Sequence, residues 1–236
     1  VASLMRGAVP FCGIAALGGG AVLLQPDTDT FVIMMLASGA LFLAAGGRWR
    51  HALALGIIGA LIVAALALSR PYIMNRIAAF LDPSADPQGA SYQVNQSLIA
   101  LGSGGLFGRG FGQSIQKFEH LPEPISDSIF AVYGEEFGFL GSAFLVLLFS
   151  AFALRGYKIA TDAPDRFGML LVVGLVTLII AQTFLNIASM LALVPLSGLP
   201  LPFISQGGTA LLAALASVGI ILNVSKYRTR ERTVLQ

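Results

Sequence analysis

Six stretches of the chain carry almost no charge, and each runs for roughly the ~20 helical residues that a bilayer needs. They fall near 8–24, 30–46, 52–69, 128–153, 168–192 and 207–224. Each reads as a membrane-spanning helix. The third runs into Pro71, which ends or kinks it. Polar and Gly-rich sequence collects in one long interval, Arg70 to Ser126. Intervals of that length between elements are functional or disordered. This one reads as an ordered loop with short helices, such as Tyr72–Leu81, lying at the interface. The expected fold class is all-α: a polytopic membrane helix bundle, one membrane domain over 1–236, with a long external loop at 70–126. No repeat and no soluble domain stand out.

Composition agrees with the pattern. Of 236 residues, 56% are hydrophobic and 11% charged, against about 25% charged in soluble domains. Mean hydropathy is +0.82. A net charge of +2 is too small to suggest a nucleic-acid partner. The distribution of charge says more. Arg6, Arg48, Arg50, Arg155, Lys158, Arg166, Lys226, Arg228, Arg230 and Arg232 fall on one side of the expected spans. By the positive-inside rule that side is cytoplasmic, with both termini inside and the long loop outside. The outer side then holds Arg70, Arg76, Arg109 and Lys117 with Asp27, Asp29, Asp82, Asp86, Glu119, Glu123 and Asp127. Cations that break the bias are better functional candidates than those that follow it. The chain starts at Val1 with no cleavable signal pattern, as expected of a fragment or a processed form. Cys12, alone in an apolar run, forms no disulfide framework or Cys-based metal site and reads as a small hydrophobe.

The loop contains Gly102-Ser-Gly-Gly-Leu-Phe-Gly-Arg-Gly-Phe-Gly112 and then Leu121-Pro-Glu-Pro-Ile-Ser-Asp127. Glycines at 102, 104, 105, 108, 110 and 112 allow a close backbone approach or an anion nest. The spacing matches neither a P-loop nor a dinucleotide fingerprint. Arg109 and Lys117 inside it favour a phosphate-type ligand. Asp127 stands where a span begins, so either Ser126 or Asp127 can cap that helix, and a capping carboxylate can still face water. Ala131, Gly134, Gly138 and Gly141 continue from Asp127 at helical spacing. They suit close helix packing, or a groove for a lipid tail. Glu135 and Glu136 lie about two turns below, as a proton path, metal ligands or structural partners to a cation on an absent helix. His120 reads as an exposed loop residue and His51 as interfacial. Pro195–Gly208, with three prolines and three glycines, is a rigid turn or a cavity wall.

Together these residues resemble the SEDS polymerases, the FtsW/RodA/SpoVE family of cell-wall glycosyltransferases. Leu24-Gln-Pro-Asp27 resembles the family's LQPD after a span. Arg76 with Phe80-Leu-Asp-Pro83 and Asp86-Pro87, then Tyr92-Gln93, Gln96-Ser97 and Gly102-Ser-Gly-Gly105, follow its order of motifs. So do Leu121-Pro-Glu123, Asp127, Ile129-Phe-Ala131, Gly134-Glu-Glu136 and Gly198-Leu-Pro-Leu-Pro-Phe203. The family reads His-Thr where this chain has Ile125-Ser126, and Ser-Tyr-Gly-Gly where it has Ser205-Gln-Gly-Gly208. The family has ten spans, of which this chain resembles the last six.

The resemblance implies an inverting glycosyltransferase that polymerises lipid II at the outer face of the bacterial cytoplasmic membrane. Asp127 is then the general base. Arg76, Gln93, Gln96, Ser97, Ser103, Gly104, Gly105, Arg109, Lys117, Glu123 and Ser205 are then candidate substrate-binding residues. Arg109 and Lys117, with or without a divalent cation (Mg or Mn), would stabilise the diphosphate. The implied partners are lipid II, undecaprenyl-pyrophosphate-linked glycan, the membrane and a class B penicillin-binding protein transpeptidase. Two other classes stay open: a lipid II flippase working through Glu135 and Glu136, and a non-catalytic division scaffold.

Overall fold

A computed structural model describes residues 9–25, 27–82, 89 and 91–227, without the side chains of Val9 and Glu119. Arg6, Pro83, Asp86, Pro87, Arg228, Arg230 and Arg232 lie outside the described residues, and so does the expected placement of the termini. Among the described residues there are helices and no strand. In chain order they are α1 (Val9–Leu24), α2 (Thr28–Ala44), α3 (Trp49–Ser69), α4 (Pro71–Leu81) and α5 (Tyr92–Gly104). Then follow α6 (Gln116–Glu119), α7 (Ile129–Thr161), α8 (Arg166–Met190) and α9 (Gly208–Lys226). Helices α3, α7, α8 and α9 are long and apolar enough to cross a membrane. Helices α1 and α2 are apolar but shorter, at 16 and 17 residues. That gives about 24–26 Å of rise against the ~30 Å of a hydrocarbon core.

Local chemistry explains the boundaries. The Asp27 carboxylate accepts from the Thr30 N–H at 2.9 Å and opens α2. Pro71 opens α4 at a position where its missing N–H costs nothing. Asp165 accepts from Gly168 N–H at 3.3 Å and opens α8. Helix α7 continues to Thr161, past the expected end near 153. Arg155 and Lys158 do not break a helix, whereas Pro164 blocks further extension.

The interval 70–126 carries short helices, α4 over the expected 72–81 and then α5 and α6. Val94, Ser97, Ala100 and Gly104 are buried along one face of α5, which packs on α7 and α8. The Gly-rich stretch after it fills a break in α7. Gly138 there has φ 67° and ψ −165°, outside helical geometry. Arg109 N–H and Gly110 N–H donate to the carbonyls of Glu135 and Glu136, each at 3.0 Å. In return Phe139 N–H donates to Gly105 O at 2.8 Å and Leu140 N–H to Leu106 O at 3.1 Å. Non-helical backbone at membrane depth is tolerated when protein satisfies it in this way. A side chain on Gly108 would collide with the Glu136 carbonyl, so glycine is needed for the clasp to close.

Helix α8 is the centre of the bundle and packs on both α7 and α2. One buried apolar cluster, with Phe130, Ala131, Ile187, Met190 and Leu201, sits under the start of α7. A second, with Ile159, Val172, Val176 and Ile221, lies at the other end. Large apolar side chains such as Leu61, Phe144, Leu147 and Leu212 remain exposed on the outside. On a soluble protein such a surface would drive association; here lipid solvates it.

Candidate functional site

Asp127 lies in the turn that leads into α7. Ser128 occupies the cap position and makes no side-chain capping bond, so Asp127 is not consumed as a cap. The turn is built by Glu123, whose φ is 46° and whose carbonyl accepts from Ser126 N–H (3.1 Å) and Ser128 N–H (3.2 Å). Ser128 Oγ donates to Pro122 O at 2.9 Å, and Gln93 Nε2 on α5 donates to Ser128 Oγ at 3.0 Å.

Three successive carbonyls of this turn are then held from the other side. Gln206 N–H donates to Ile125 O at 2.8 Å. Ser205 Oγ donates to Ser126 O at 2.6 Å and accepts from Leu201 N–H at 2.7 Å. Asn186 Nδ2 on α8 donates to Asp127 O and to Leu199 O, both at 2.7 Å. The backbone of Asp127 is therefore fixed by α8 and by the Pro-rich 195–207 segment together. Its carboxylate is left half-exposed, with Oδ1 accepting from Ser126 Oγ at 2.7 Å.

The other oxygen, Oδ2, faces Gly198. A methyl placed on Gly198 would lie 3.7 Å from Asp127 Oδ2 and 3.6 Å from Arg76 Nη2. A carboxylate and a guanidinium thus confront one another across a residue with no side chain. Arg76 reaches this point from α4, its guanidinium 4.4 Å above the Tyr72 ring. Asp29 on α2 anchors it at 2.9 Å. The same Asp29 oxygen accepts from Gly198 N–H at 3.0 Å.

The remaining candidates form a second cluster, two turns or about 12 Å along α7 from Asp127. Glu135 is fully buried. It accepts from Ser103 Oγ (3.3 Å), Ser114 Oγ (2.6 Å), Ile115 N–H (3.2 Å) and Gln116 N–H (3.3 Å). Arg109 Nε lies 3.4 Å from it. Lys117 Nζ meets Glu136 at 2.6 Å. The structure therefore does not bring Arg109 and Lys117 to Asp127; they are counter-ions of α7's own acids. Glu135 and Glu136 are ion-paired, and the cations come from this chain's own preceding loop and not from an absent helix.

The other expected substrate residues divide the same way. Ser97 is fully buried, donating to Gln93 O at 2.8 Å. Gly104 packs against the Gly134 carbonyl, and Gly105 belongs to the clasp. Ser103 serves Glu135. Ser97 and Gly104 are buried inside the fold, whereas Gly105 is exposed and lines the apolar groove between α5 and α7. Gln96 is half-buried on α5, and the Glu123 side chain is exposed beside the Asp127 turn. Gln93 and Ser205 support the Asp127 backbone. Asn186 and Asp29 are the residues that sequence reasoning undervalued. A lone Asn in an apolar span was the available signal for the first.

Between α5, α7 and α8 runs an apolar groove of about 670 Å³. Its walls include Leu98, Leu101, Phe130, Gly134, Ala143 and Ile187. It starts within the first turn of α7, so one end lies near Asp127.

The fold and the site define a multi-pass helical membrane protein with a backbone-fixed carboxylate at the end of a span. Residues 1–230 match the FtsW/RodA/SpoVE family, described as a cell cycle protein family, and the chain belongs to it. It is 44% identical over 227 residues to stage V sporulation protein E of Bacillus subtilis, covering 96% of this chain and 62% of that protein. A probable peptidoglycan glycosyltransferase FtsW of a Geobacter species is 38% identical, covering 94% of this chain and 60% of that one. A structure of a peptidoglycan synthase complex, solved for its coordination of polymerization and crosslinking, superposes with TM-score 0.75 at 26% identity. It covers 98% of this chain and 65% of that one. The rod shape determining protein RodA of Thermus thermophilus gives TM-score 0.62 at 26% identity, with 98% and 60% covered. The chain thus spans 60–62% of these two curated relatives.

Proposed function

We propose that the protein is a peptidoglycan glycosyltransferase that extends glycan strands from lipid II at the outer face of the bacterial cytoplasmic membrane. One observation carries this: Asp127 has its backbone fixed through three consecutive carbonyls while Oδ2 faces Arg76 across Gly198. That is the arrangement of a preorganised base opposite a cation. In the reaction, Asp127 takes the proton from the acceptor GlcNAc 4-hydroxyl. The freed oxygen forms a bond to the donor's anomeric carbon, and the bond to the lipid diphosphate breaks with its electron pair. The leaving diphosphate needs no general acid, so one carboxylate suffices where a glycosidase uses two. Arg76 is placed to meet the charge on the diphosphate. The apolar groove along α7 suits the prenyl chain of the same substrate.

The residues also fit a divalent ion, Mg or Mn, held mainly by the substrate's phosphates. Such an ion needs only one or two carboxylates, and Asp127 Oδ2 is one; bound there, it would neutralise diphosphate charge. Among the described residues no three His, Cys, Asp or Glu side chains converge into an all-protein cage. A class B penicillin-binding protein transpeptidase is the proposed partner, supported by the likeness to a synthase complex that couples polymerization to crosslinking. A flippase working through Glu135 and Glu136 is disfavoured, because both carboxylates already hold cations and hydrogen-bond donors.

The test is polymerisation of purified lipid II by the intact protein. Asp127→Asn keeps the size and the bond from Ser126 but removes the base. The expected loss is about 10²–10⁴-fold in turnover, the usual worth of general-base catalysis. Glycan synthesis at near wild-type rate by this variant would refute the assignment.

A further inference from the structure

Asp29 is the acid that the proposed reaction does not use, yet it touches both sides of the site. In the first turn of α2 it could merely complement the helix dipole. Its contacts say otherwise. Its Oδ2 binds Arg76 and Gly198, which are 47 and 169 residues away in sequence. One oxygen atom therefore joins α2, α4 and the Pro-rich segment at the point where Arg76 and Asp127 confront one another.

Arg76 Nη2 and Asp127 Oδ2 lie on either side of the open space at Gly198. No side chain separates them. A guanidinium released from Asp29 has a second carboxylate within a small movement. Collapse onto Asp127 would satisfy both charges with each other. The base would then be occupied by a bidentate partner, and the cation would be withdrawn from the substrate. Asp29 prevents this by offering Arg76 Nη1 a competing anion, while its bond to Gly198 N–H ties the same oxygen to the residue at the gap.

We propose that Asp29 is a positioning residue that holds Arg76 apart from Asp127, so that the guanidinium stays available to a prenyl diphosphate and the carboxylate stays available to the acceptor hydroxyl. This rests on the reading of Asp127 and Arg76 given above, and it makes a prediction of unexpected sign. The site sets one cation against two carboxylates. Ordinary electrostatics says that removing a carboxylate tightens the binding of an anion. A positioning role says that it weakens it.

The measurement is binding of undecaprenyl diphosphate to the intact, detergent-solubilised protein, with melting temperature recorded in parallel. Asp29→Asn retains an oxygen for Gly198 N–H and loses the charge that holds Arg76, so the folded state is kept. Its dissociation constant should rise about tenfold, the scale of one lost charge-assisted contact. In an Arg76→Ala background the same substitution should change binding less than twofold, because the residue through which Asp29 acts is gone. Asp29→Glu should recover part of the affinity. Tighter or unchanged binding in Asp29→Asn overturns the proposal, as does a tenfold loss that persists without Arg76. Absence of binding by the wild-type protein would instead refute the reading of the site as a diphosphate site, and the two failures are therefore distinct.

Discussion

At the scale of the residue, the site depends on a missing side chain. Gly198 has room for a methyl, since both polar neighbours would lie beyond 3.5 Å at 3.6 and 3.7 Å, and its φ is not positive. Gly198→Ala should therefore fold, with a melting temperature near wild type. It places an apolar group between guanidinium and carboxylate, where substrate oxygens are to enter. Lipid II polymerisation should fall at least about tenfold, the worth of one misplaced polar contact. A variant of unchanged activity would show that substrate does not pass between Arg76 and Asp127. Asp127 itself was legible in the sequence, because an acid at the end of a span after Leu121-Pro-Glu123 is conspicuous. The supporting bonds were not. Ser205 and Asn186 act on carbonyl groups 79 and 59 residues away, and no local pattern encodes a partner at that distance.

At the scale of the element, the six apolar runs gave their helices to within a few residues, except at the end of α7. Apolar length is the dominant signal in lipid, and it is local. What the sequence did not locate was the seat of α5 inside the bundle and the break in α7. The buried face of α5 is mostly small, with Ser97, Ala100 and Gly104 beside Val94, so it does not register as a strong apolar stripe. The glycines after it suggested a ligand, whereas the group they approach is the α7 backbone. Arg109 and Lys117 carry partners that no local pattern shows. A cation in a Gly-rich segment suits phosphate, and the structure adds that Glu135 and Glu136 pair with these two. Lys117 and Glu136 have side chains 23% and 7% exposed, between a surface pair and a buried one. Lys117→Ala should cost more than the ~0–1 kcal/mol of an exposed pair and less than the ~3–5 kcal/mol of a buried one. Adding Glu136→Leu should restore part of that loss, since the acid left without its cation is then removed, against the backbone bonds it accepts at Gly112 and Ser114. Thermal unfolding of the single and double variants measures both. A double variant less stable than Lys117→Ala would mean that Glu136 has essential partners besides Lys117.

At the scale of the whole molecule, the clasp, the groove and the site are one construction along α7. The broken helix is closed by 105–110, the groove opens beside the break, and its near end reaches the first turn after Asp127. Gly138, one of the small residues at helical spacing below Asp127, cannot test the groove by substitution. Its φ of 67° and its contact with the Gly108 backbone mean that any side chain there breaks the clasp first. Ala143 lines the same groove from the regular, C-terminal half of α7 and takes no part in the clasp. Ala143→Phe projects a ring into a space of about 670 Å³ without touching Asp127, Arg76 or the ion pairs. If the groove carries the prenyl chain, this variant keeps its melting temperature and binds long prenyl diphosphates more weakly. A short-chain prenyl diphosphate, which cannot extend as far as Ala143, should bind as it does to the wild type. Equal weakening for both lengths would place the effect at the polar end. Unchanged binding for both would mean that the groove is covered by something other than the substrate's tail.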